Sequence, residues 1–187
     1  MQEISPNVFI DHNALGLITG LVRTEEGTVL IDWLVRPDES KPWKNSAAKF
    51  GSGDARFLIT LDTNYDRQLS AKGSNSVIIA QANALLPPKA RQNVTKVQEE
   101  LTGINDAHEV MVTSSRCLPP EITFTDNLTI NIGGMEIQLE SHSGSNNGGI
   151  WASLPKEKVV FVGDTILVDQ PPFMAYSNLE NWIADID

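Results

Sequence analysis

The chain of 187 residues has a single cysteine, Cys117. That excludes an internal disulfide, and it excludes zinc knuckles and ribbons, which need several thiolates. Basic residues are scarce: 14 Lys and Arg stand against 24 Asp and Glu, a net charge of −10. Without a Lys/Arg run, a nucleic-acid-binding face is disfavoured, and the same sign disfavours an anionic membrane surface. No apolar run approaches the ~18 residues of a membrane span. The opening MQEISPNVFIDHN lacks the basic start and apolar stretch of a signal peptide. The expectation is a cytoplasmic protein, one domain over residues 1–187, with no nucleic-acid and no membrane partner. At this length about 70% of the chain's surface is buried on folding, so the core needs no disulfide or metal to hold it.

What the chain does have is short apolar runs. Asn7 to Ile10, Gly16 to Val22 and Thr28 to Asp32 read as strands, the last two a hairpin through Glu25-Glu26-Gly27. Phe57 to Thr60 and Ser76 to Ala80 are short buried strands. Asp38 to Lys49 has weak helical periodicity. Val94, Val97 and Leu101 recur at helical spacing after Pro87-Pro88. Leu128 to Ile132 and Met135 to Glu140 alternate around Gly133-Gly134, a second hairpin. Ile150 to Leu154 and Val159 to Val162 flank the turn Pro155 to Lys158, a third. The last twelve residues predict a helix capped by Ser177 or Asn178, with Leu179, Trp182, Ile183 and Ile186 on one face. About nine strands with few helices between them predict stacked sheets with helices outside.

Three polar loops each follow a buried strand: Asp62 to Arg67, Ser141 to Gly149, and Gly163-Asp164-Thr165. Polar groups at the ends of buried strands line pockets or simply cap turns. Their order and spacing resemble the metallo-β-lactamase fold superfamily over nearly the whole chain. The resemblance rests on Leu30-Ile31-Asp32, on Ile59-Thr60 leading into the first loop, and on Ile122 to Ile130. It continues through Gly133 to Ile137 and is most specific over Leu154-Pro155-Lys156-Glu157-Lys158-Val159-Val160-Phe161-Val162-Gly163-Asp164. It implies an α/β (α+β) fold: an αββα sandwich of two mixed sheets with outer helices, C-terminally short. It further implies a homodimer that covers the open edge.

The same resemblance implies a zinc centre built mainly of imidazoles, and here the chain departs. Asp62, Asn64 and Arg67 stand where the family has loop histidines, and Ser145 stands at the next histidine position. Asp66 and Asp164 keep the family's aspartates. His142, three residues before Ser145, is either a displaced ligand or a hydrogen-bonded structural residue. Zinc prefers nitrogen and sulfur, whereas these positions offer oxygen, and a guanidinium has no lone pair to give. The expectation is therefore no zinc, with a hard divalent cation as the alternative occupant. Two carboxylates ~4 Å apart repel by about 4 kcal/mol at an effective dielectric of 20, so Arg67 is expected to pair with Asp66 or Asp164 in the metal's place.

Two functions follow from that departure. One is a degenerate, catalytically impaired member that takes a small molecule in the cleft formed by Asp62, Asn64, Asp66, Arg67, His142, Ser145 and Asp164. The other is a hydrolase of ester-, lactone- or thioester-like substrates, with Asp66 or Asp164 as catalytic carboxylate or an oxygen-ligated metal. A Ser145 nucleophile served by His142 is the weakest reading.

Overall fold

The computed structural model describes residues 1–12, 18–33, 37–63, 75–84, 118–168, 171–172, 174 and 177–187. Eleven strands form two sheets among them. The first sheet runs β1 (Gln2–Ser5), β2 (Val8–His12), β3 (Ile18–Thr24), β4 (Gly27–Ile31), β5 (Ala55–Ile59), β6 (Val77–Gln81), β7 (Ile122–Phe124). The second runs β11 (Val159–Phe161), β10 (Ile150–Leu154), β9 (Met135–Ser141), β8 (Asn127–Ile132). All three predicted hairpins are present. β1 was not expected from the sequence, since it is an exposed polar edge strand without apolar alternation.

The first sheet is mixed, with β1 to β4 antiparallel and β4 to β7 parallel. The second is wholly antiparallel, which narrows the expectation of two mixed sheets. The reason is connectivity: strands joined by short turns or one loop run back on one another, while parallel neighbours need a crossover.

Inward residues of both sheets meet in one core. Val22, Val29, Ile31, Ile59 and Ile79 pack against Ile137, Leu139, Ile150, Ala152 and Leu154. The opposite face of the first sheet presents Phe9, Leu21, Leu30, Leu58 and Ile78 to α1 (Pro37–Phe50). There Trp43 is buried, packs against Trp33 with the rings tilted and their centres 5.1 Å apart, and donates its indole N–H to the Thr19 hydroxyl. Strands covered on both faces read as continuous apolar runs, as seen at Val29-Leu30-Ile31 and Leu58-Ile59.

The last element, α2 (Leu179–Ile186), lies outside the second sheet. Asn178 caps it, accepting the Asn181 N–H at 3.1 Å. Of the predicted apolar stripe only Trp182 is buried; Leu179, Ile183 and Ile186 are exposed. The helix expected after Pro87-Pro88 lies outside the described residues. No described helix is long and apolar enough to cross a membrane.

The topology separates the two ends of the sandwich. The C-terminal ends of β4, β5, β6 and β11 and the β9–β10 loop share one end. The tight turns at Glu25-Glu26 and Gly133-Gly134 share the other, where the Glu25 N–H donates to the Gly133 carbonyl at 3.2 Å. Both glycines have positive φ (+47° and +81°). A β-carbon at position 133 would lie 2.5 Å from the Glu25 and Glu26 nitrogens.

Candidate functional site

The site builds from the end of β4. Asp32 sits in left-handed backbone at φ +55°, which Asp tolerates better than most residues. It is buried, its N–H donates to the Ile59 carbonyl, and its carboxylate accepts the Leu61 N–H at 2.9 Å. Asp32 thereby fixes where the chain leaves β5. The next residue, Asp62, is buried at 1% exposure.

The Leu61 carbonyl accepts the Ile150 N–H at 2.8 Å, which ties this loop to the start of β10 in the other sheet. The Thr63 hydroxyl donates to the Asn146 side-chain oxygen at 3.2 Å, and that oxygen also accepts the Gly148 N–H at 3.1 Å. The Asn83 side chain, just past β6, donates to the Asn147 carbonyl at 3.0 Å. The approach at Gly148 is close: a β-carbon there would lie 2.4 Å from the Thr63 methyl. Loops after β5, β6 and β9 thus meet through neutral hydrogen bonds.

The third loop closes the group. Gly163 takes φ +57° beside Leu61, and a β-carbon on it would sit 3.2 Å from that of Leu61. The half-buried Asp164 therefore follows a backbone that touches the one carrying Asp62. Thr165 is buried; its hydroxyl is 3.4 Å from the Ser145 hydroxyl and accepts the Trp151 indole N–H at 3.4 Å.

His142 sits elsewhere. β9 points its odd-numbered residues into the core, so Glu140 and His142 emerge on the outer face of the second sheet, beneath α2. The imidazole stacks on Trp151 with ring centres 4.1 Å apart. Its Nδ1 is 3.0 Å from Asp185 Oδ1, and its Nε2 is 3.7 Å from Glu140 Oε2.

The structure thus brings the Asp62, Ser145 and Asp164 loops together, bonds His142 Nδ1 to Asp185 and leaves its Nε2 3.7 Å from the exposed Glu140 carboxylate. Asn64, Asp66 and Arg67, with the expected Arg67 ion pair, lie outside the described residues. Sequence reasoning passed over Thr63, Asn83, Asn146 and Asp185. Their partners lie 41 to 83 residues away, and only the loop composition hinted at Thr63 and Asn146.

The zinc centre implied by the resemblance would draw on imidazoles; among the described residues of these loops there is one, His142, with Nδ1 turned to Asp185, and the other side-chain donors include the oxygens of Asp62, Thr63, Ser145, Asn146, Asp164 and Thr165. One imidazole among oxygens does not fit a zinc centre built mainly of nitrogen ligands. Among the described residues no three His, Cys, Asp or Glu side chains converge as a metal cage.

The sequence matches no protein-family model and no curated protein. Its fold has extensive matches among solved structures. A metallo-β-lactamase family protein from Thermus thermophilus is 15% identical with a TM-score of 0.72, over 98% of this chain and 69% of that one. A metallo-β-lactamase from Pontibacter korlensis is 16% identical with a TM-score of 0.63, over 97% of this chain and 80% of that one. A double mutant of a sec-alkyl sulfatase is 13% identical with a TM-score of 0.71, over 98% of this chain but 34% of that one. With its two stacked sheets and outer helices, this chain has the metallo-β-lactamase fold.

Proposed function

We propose that the protein is a degenerate metallo-β-lactamase-fold protein that takes a small molecule in the cleft at the loop end without an imidazole-ligated zinc. The observation that supports this most directly is the position of His142. It is the single histidine in the three site loops, and its two nitrogens face Asp185 and Glu140 on the outer side of the second sheet. A ligand histidine needs a free ring nitrogen aimed at the metal. In this reading the loops are joined by Thr63, Asn146, Ser145 and Thr165, and Arg67 supplies a fixed cation beside Asp66 and Asp164.

A second reading keeps hydrolysis, and what favours it is the adjacency of Leu61-Asp62 and Gly163-Asp164. A carboxylate there serves as general base, or ligates a hard cation, on an ester-, lactone- or thioester-like substrate. The fold itself does not choose, since β-lactamases and an alkyl sulfatase share it.

One experiment separates these. The protein is purified without chelators, its metal content is measured, and it is assayed on ester, lactone, thioester, lactam and sulfate-ester substrates beside Asp164→Asn. The expected result is substoichiometric zinc and no turnover. Zinc near one equivalent that is lost in Asp164→Asn overturns the proposal. Turnover abolished in Asp164→Asn, with no zinc present, establishes the second reading instead.

A further inference from the structure

The last helix grips the body of the protein mainly through polar contacts. Three of its four large apolar side chains are exposed, and only Trp182 is buried. Among the described residues, the polar contacts that α2 and its cap make with the body converge on two short stretches, both belonging to site loops. The Asn178 N–H donates to the Gly144 carbonyl at 3.0 Å, and the Asn181 side chain to the Ser143 hydroxyl at 3.3 Å. Asp185 uses both oxygens: Oδ2 accepts the Gly144 N–H at 3.1 Å, and Oδ1 meets His142 Nδ1 at 3.0 Å. The Trp182 indole N–H donates to the Thr165 carbonyl at 3.0 Å. Gly144 fits only because it has no side chain, since a β-carbon there would lie 2.4 Å from Trp182 Cα.

From this pattern we infer that α2 is a bracket. It spans the β9–β10 loop and the loop after β11, sets Ser145 against Thr165, and uses Asp185 as the positioning residue. The inference rests on reading these loops as the cleft. Two features support a positional role over simple packing. First, the anchor points sit at 142–144 and 165, next to Ser145 and Asp164. Second, a helix held by one buried indole and a few hydrogen bonds opens locally more readily than the sandwich core does. His142 then has a positioning role of its own. Stacked on Trp151, it holds Asp185 in the orientation from which the second carboxylate oxygen reaches Gly144.

Site-resolved hydrogen exchange on the full chain tests this, comparing wild type, Asp185→Ala and Asp185→Asn. The Gly144 amide and the Trp182 indole report the bracket, and the β3–β4 amides report global stability. In Asp185→Ala, exchange at Gly144 and Trp182 is expected to rise about tenfold or more, the loss of a charge-assisted hydrogen bond, while β3–β4 is unchanged. The Ser145 amide and Trp151 indole resonances should shift as well. Asp185→Asn, which keeps one acceptor oxygen, should fall between. Equal acceleration at all sites, or no change at Gly144, overturns the inference. These readouts need no ligand, so a cleft that proves to bind nothing leaves the bracket test standing.

Discussion

Replacing Asp32 tests how the chain is held where it leaves β5. Two costs can be separated there because the residue does two things at once. Its buried carboxylate accepts the Leu61 N–H at 2.9 Å, and its backbone is left-handed at φ +55°. Losing a charge-assisted bond to a buried amide costs about 1.5–3 kcal/mol, part of it offset by relief of the buried charge. Placing alanine in left-handed backbone costs about 1–2 kcal/mol more. Asp32→Ala suffers both, so about 2–4 kcal/mol net is expected. Asp32→Gly is free of the second cost and should be about 1 kcal/mol milder. Asp32→Asn keeps an acceptor oxygen and tolerates the backbone, so it should cost least, about 1 kcal/mol. At roughly 2–4 °C per kcal/mol for a domain of this size, Asp32→Ala lowers Tm by about 4–16 °C. Urea denaturation gives the free energies and thermal melts give the order. If Asp32→Gly is as unstable as Asp32→Ala, the backbone argument fails. If Asp32→Asn is as unstable as Asp32→Ala, the hydrogen-bond argument fails.

Two further substitutions probe close approaches. Gly134→Ala meets open space and bears only the cost of its positive φ, about 1 kcal/mol, whereas Gly133→Ala also drives a methyl into the Glu25 and Glu26 backbone and should destabilise clearly more in the same melts. Gly148→Ala pushes a methyl toward Thr63. It should shift the amide resonances of Thr63 and Asn146 and lower Tm, and Thr63→Ser, which removes the opposing methyl but keeps the hydroxyl, should restore much of the loss.

The hairpins were legible because Gly133-Gly134 punctuates clean alternation and Glu25-Glu26-Gly27 separates two apolar runs, and the parallel strands because Leu58-Ile59 and Ile78-Ile79 are buried on both faces. The break between β7 and β8 was not legible. Thr125-Asp126 carries the chain from one sheet to the other, and periodicity does not record which sheet a strand joins. Within the site, the loops themselves were readable from their polarity after buried runs. The role of His142 was not, because it depends on Asp185, 43 residues later and on an element with its own periodicity.

The contact between Glu25 and Gly133 has a consequence for how this architecture tolerates change. It fastens the two sheets by main-chain atoms at the end remote from the loops, and main-chain bonding is indifferent to most side-chain exchanges. With the Ile150–Leu61 bond at the loop end, the molecule is bound like a book stitched at both edges, and side chains between the stitches can be altered without parting the pages. Polar side chains can be exchanged there for hydroxyls and amides while the strands keep their register.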